Sequence, residues 1–199
     1  MTRVPMRHRR RVKGPVTMRL RNARGSALLE FAIVLPLLVV FVVGIYDFSG
    51  ASNQKQKVEQ AAQEGAIIAG AQPMSDIQSA NLNPDSLQPV VTAVINSLAG
   101  SGVLPSLTCG PYVVTESIPL SWTYTISGCS SAYPTDNLVI TINRGWVPAS
   151  GSPLSVGTSV QVAYPYHWRF NSVIQLLVPG ASYAVTTQVT ESATVHNQM

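Results

Sequence analysis

Residues 24–46 read RGSALLEFAIVLPLLVVFVVGIY. Between Arg24 and Asp47 the only side chain charged at neutral pH is Glu30. At 1.5 Å of rise per residue, a helix from Ala27 to Tyr46 is roughly 30 Å long, the thickness of a bilayer's hydrocarbon core. The stretch therefore predicts a membrane-crossing helix, and the rest of the chain is organised around it.

Charge on either side gives the direction. Arg3, Arg7, Arg9, Arg10, Arg11, Lys13, Arg19, Arg21 and Arg24 precede the run, with no acid among them. The positive-inside rule keeps such a leader in the cytoplasm and sends everything after Tyr46 across the membrane, a single pass with an extracytoplasmic head. Although the 199-residue chain has a formal charge of +4, the part from Ser26 onward holds only Lys55, Lys57, Arg144 and Arg169 against all nine acids, a balance of −5. A nucleic-acid-binding domain presents its cations on the folded part, so no nucleic-acid partner is expected.

A cleaved secretory signal is the competing reading, because Ser49-Gly50-Ala51 offers small residues after the apolar run. Against it stand the length of the run, the oversized basic leader and the carboxylate inside the run. At a helix centre in lipid a carboxylate costs about 2.5 to 3.5 kcal/mol, and such residues usually have a partner or a task. Glu30 either snorkels back to the headgroups or serves a new N-terminus. A cut after Gly25 would make Ser26 the first residue and Glu30 the fifth, one helical turn away.

Basic leader, Arg24-Gly25, Ser26-Ala27-Leu28-Leu29-Glu30-Phe31 and an apolar helix together resemble the prepilin processing site of type IV pilins. Within that superfamily the run through Pro36 and Gly44, followed by VEQAAQEGAIIAG at residues 58–70, is similar to the TadE-like pseudopilins, minor pilins of tight-adherence pili. The resemblance implies a structural and assembly role rather than an enzyme. It also implies cleavage after Gly25 by a prepilin peptidase, and partnership with other pilin subunits and the assembly platform at the bacterial inner membrane. Incorporation into a surface fibre that serves adhesion is a further implication. Ser26 stands where many type IV pilins carry an N-methylated Phe.

Beyond the membrane the helix is expected to continue to Ala71, where Gln72-Pro73 ends it. Ala51, Val58, Ala62, Gly65 and Ala69 form a narrow stripe of small residues. Such a seam lets a second backbone approach closely, whether the protein's own head or a neighbour in a fibre. Pro36 lacks an amide hydrogen and predicts a kink within the span.

The remainder, 72–199, reads as an α+β head. Pro89 to Leu98 repeats apolar residues at helical spacing up to Gly100-Ser101-Gly102. Alternation with a period of two then marks strands around Trp122–Ile126, Leu138–Ile142, Val160–Tyr164 and Tyr183–Val195, with a short helix over Asn171–Val178. The expected sum is a mainly antiparallel sheet with one or two helices, behind a leader (1–25) and a transmembrane and stalk helix (26–71). Cys109 and Cys129 suit a disulfide outside the cytoplasm, with two free buried thiols as the alternative. No catalytic or phosphate-binding motif occurs, and His167 and His196 lack metal-ligand spacing. Neither a metal nor a cofactor is expected, and the Tyr164–Trp168 aromatics are assigned to burial in the sheet before any ligand.

Overall fold

The computed structural model describes residues 19–77, 82–105, 109–147, 156–170, 175, 180 and 186–197. Most of the basic leader, and the helix expected over Asn171–Val178 apart from Gln175, lie outside the described residues. The chain divides into two units, Met1–Val42 and Val43–Met199.

Helix α1 runs from Arg19 to Ala71 and contains Pro36 without interruption of the helical assignment. In the first unit its apolar side chains are exposed, among them Leu28, Phe31, Ile33 and Leu37. Its most apolar 18-residue window reaches a mean hydropathy of 2.8 with none of it buried. The helix is long and apolar enough to cross a membrane.

The second unit begins with the last four residues of the apolar run, Val43 to Tyr46, and the polar end of α1, and continues through a short 3-10 turn, Asp85–Leu87, into α2, Gln88–Gly100. Pro89 lies in the first turn of α2, where its missing amide hydrogen costs nothing. The Val103 amide donates to the Leu98 carbonyl, and Gly102 takes a left-handed φ of 74° beyond the last turn. Five strands follow: β1 Tyr112–Ile118, β2 Ser121–Ser127, β3 Asn137–Trp146, β4 Gly157–His167 and β5 Thr186–His196. Every neighbouring pair is antiparallel, and the order across the sheet is the order along the chain. The architecture is the expected α+β.

β1 is an addition to the sequence reading, which begins its alternation at Ser121. Tyr112-Val113-Val114 places three apolar residues in a row, and Val113 points to the exposed face of an edge strand. A strand covered on one side by a single neighbour has little burial to impose alternation.

One face of the sheet makes the core. Trp122, Tyr124 and Ile126 on β2, Leu138, Ile140 and Ile142 on β3, and Val160, Val162 and Tyr164 on β4 are buried. They share one cluster with Val58, Ala61, Ala62, Ala66 and Ala69 of α1 and Val90, Val91, Val94 and Leu98 of α2. α1 lies antiparallel to β4. Gly50 is beside Tyr166, the Gln54 side chain donates to the Pro165 carbonyl, Gly65 is beside Val160, and Gly70 touches Val195, which neighbours Thr158 across the β4–β5 pair.

Arg144 shares the inward face of β3 and is fully buried. Its Nη2 donates to the Gln72 carbonyl at 2.8 Å, directly past the last residue of α1. A cation at this end complements the helix dipole and occupies an orphan carbonyl. Burial pulls the Arg144 pKa down, and the charge of Asp76 opposes that pull.

Cys109 and Cys129 are joined by a disulfide that closes the open end of the β1–β2 hairpin, where the Gly110 amide donates to the Ser127 carbonyl. Closing a loop of sequence separation 20 contributes about 3 kcal/mol in the chain-entropy model. Denatured but unreduced protein is expected to resist alkylation at both positions, and reduction to lower the unfolding free energy by about that amount. Two free thiols under those conditions would rule the bond out.

Candidate assembly segment and the aromatic end of the head

Gly25, Ser26, Glu30 and Pro36 all lie on α1 in the first unit. The Ser26 hydroxyl donates to Glu30 Oε1 at 3.0 Å, both side chains being exposed. The contact follows from helical spacing, since residues four apart are neighbours on one face. It shows that position 26 reaches the carboxylate within a single chain.

The small-residue seam is occupied by the protein's own head. Val58, Ala61, Ala62, Ala66 and Ala69 have no exposure. A Cβ added to Gly65 would stand 2.7 Å from Val94 Cγ2 and 3.3 Å from Val160 Cγ1. Glycine here permits α1 to approach α2 and β4 together.

The other organised cluster sits where the C-terminal end of β4 meets α1. Asp47 is almost fully buried, at 2% exposure. Its Oδ1 accepts from the Tyr166 hydroxyl at 2.9 Å and its Oδ2 from the Phe170 amide at 2.7 Å. Burial pushes the Tyr166 pKa up to about 12, helped by the hydrogen bond to Asp47 and that carboxylate's charge. Tyr166 thus keeps its proton and remains a donor.

Beside it, His167 Nε2 lies 2.6 Å from Asp136 Oδ2, and its ring stacks on Tyr133 at 3.5 Å between centroids. The Trp168 indole donates to Thr187 Oγ1 and meets Tyr166 edge to face. Tyr133, Asp136, Tyr166, His167 and Trp168 line an open cleft of about 920 Å³, which also takes in Tyr46, Asn53, Gln54 and Arg169. Among the described residues, no group of three or more His, Cys, Asp or Glu is placed to hold a metal ion.

Sequence reading named His167 but missed its partner and missed Asp47. Asp47 is 119 residues from Tyr166 and 123 from Phe170, and Asp136 precedes β3 in a loop with no period to betray it. The one available signal was Asp47 itself, an acid directly abutting an apolar run.

These features define a protein with, among the described residues, one helix long and apolar enough to span a membrane and an α+β head that includes the continuation of that helix. The family model described as TadE-like protein matches residues 25–66, from Gly25 through the apolar run to the small-residue seam. The similarity to TadE-like proteins lies within the N-terminal helix and covers well under half of the 199-residue chain. Comparison with curated proteins and with solved structures gave no match.

Proposed function

We propose that the chain is a minor pilin or pseudopilin of a tight-adherence type IV pilus, cut by a prepilin peptidase between Gly25 and Ser26. It is held in the bacterial inner membrane with its N-terminus cytoplasmic and its head outside, and is assembled with other pilin subunits on the assembly platform. The observation that carries this reading is the family match opening at Gly25, with a basic leader before it and Glu30 five residues after it. An extracytoplasmic head is consistent with the disulfide, which cytosolic reductants would not preserve. Pro36 is read as a kink that lets the span bend.

The N-terminus tests the proposal. Membrane-extracted protein co-expressed with a prepilin peptidase is expected to have the mass of residues 26–199. An unchanged mass would indicate a signal-anchored envelope protein that keeps its leader. A new N-terminus at Ser52 would indicate ordinary signal-peptide cleavage. Either result overturns the processing step.

A further inference from the structure

Tyr46 ends the apolar run, so the water–lipid interface of a membrane crossed by α1 falls at about its level. Asp47 stands one residue, or 1.5 Å, beyond it. Because Asp47 accepts from Tyr166 and from the Phe170 amide, the C-terminal end of β4 is fixed at that same level on α1. Tyr46 at 67% exposure, half-buried Trp168 and exposed Arg169 are therefore gathered around the first turn of α1 beyond the run. Tyr and Trp have an apolar body with a polar tip, the combination that sits at headgroup level. A guanidinium forks onto phosphate oxygens.

The charges at this end agree. Among the described residues two carboxylates lie here, and both are engaged: Asp47 with Tyr166 and Phe170, Asp136 with His167. Both are also buried. The exposed cation Arg169 meets no exposed acid in the lining of the cleft. A surface with a net charge of −5 from Ser26 onward thus turns an acid-poor, aromatic end toward the level where lipid phosphates lie.

We propose that this end of the head is a membrane-surface anchor, with Tyr46, Trp168 and Arg169 seated among phospholipid headgroups. The inference rests on the reading of α1 as a membrane span. The anchor fixes the rotation and height of the head above the bilayer before assembly, with the Tyr166–Asp47 hydrogen bond transmitting that position to α1.

The other two tryptophans, Trp122 and Trp146, supply the controls. Trp146 pairs with Gly157 at the far end of β4, and an 11-residue strand is roughly 36 Å long. Trp122 is fully buried in the core. The full chain is reconstituted into vesicles of phosphatidylethanolamine and phosphatidylglycerol that carry a spin label at the headgroup. Tryptophan emission is expected to be quenched in the wild type and in Trp146→Phe, and to lose most of that quenching in Trp168→Phe. Quenching is expected to deepen with the phosphatidylglycerol fraction, and Arg169→Gln to remove that dependence.

Resistance to alkaline carbonate extraction is measured on the same vesicles. A carbonate-resistant chain with no quenching, or with quenching unaffected by Trp168→Phe, overturns the anchor and leaves the span standing. A chain stripped by carbonate overturns both. Loss of quenching on adding soluble oligosaccharide would instead identify the cleft as a glycan site and overturn the lipid assignment.

Discussion

Glu30→Gln is expected to enter the membrane and to be cut after Gly25, yet to be missing from sheared pili. The structure makes this substitution a clean one. The Ser26 hydroxyl donates to Glu30 Oε1, and the glutamine carbonyl can accept the same bond, so the local contact within the chain survives. Only the charge is lost. The proposed cleavage would create an α-amino group at Ser26 with a reference pKa near 8, roughly nine-tenths protonated at neutral pH. In a fibre the carboxylate of one subunit can pair with the ammonium of the next and set their axial stagger. An unpaired carboxylate in lipid is costly, and that cost gives the pairing its selectivity. Wild-type amounts of the Gln variant in the pilus fraction, with cleavage intact, would sink the assembly role of this residue.

Gly65→Leu is expected to destabilise the head by about 3 kcal/mol, the upper part of the range for overpacking a well-filled core. A Cβ at this position already overlaps Val94 Cγ2 at 2.7 Å, and both Val94 and Val160 are fully buried. Branched, buried neighbours cannot rotate away cheaply. Gly65→Ala sets the same overlap against a gain of up to about 1 kcal/mol in helix propensity, and should cost much less. Chemical unfolding of the detergent-solubilised chain, followed through the emission of buried Trp122, reads both variants. A Leu variant within about 0.5 kcal/mol of wild type would show that α1 does not depend on this close approach.

Most of the fold could be read from period and punctuation, because those follow from what each residue faces. Trp122, Tyr124 and Ile126 alternate with hydroxylated residues since one side of β2 meets the helices and the other does not. Pro89 and Gly102 bracket α2 for reasons local to the backbone. β1 escaped because the edge strand breaks alternation with Val113.

Arg144 escaped for a different reason. It continues the inward parity of Leu138, Ile140 and Ile142, but a charged residue ends an apolar pattern unless its partner is known. That partner is a backbone carbonyl at Gln72. Asp47 and Asp136 failed in the same way. Their roles are defined by tertiary neighbours far along the chain, whereas Gly25, Glu30 and the seam are recognised by spacing on one helix. The segment that the TadE-like family model matches was thus legible, and the aromatic end was not.

The sheet order β1 to β5 repeats the chain order, and this bears on how the head is made as well as on what it is. Each strand finds its partner in the segment that has just emerged, so the sheet can zip up hairpin by hairpin with short loop closures. α1 must wait. Its contacts with Val160, Glu191 and Val195 belong to the last two strands to appear, and until then α2, through Val90 and Val94, is its partner beside Gly65. A chain held at its helix while the strands follow has its first element tethered and its last element in control of completion. The head therefore closes on its own stalk only once β5 has arrived.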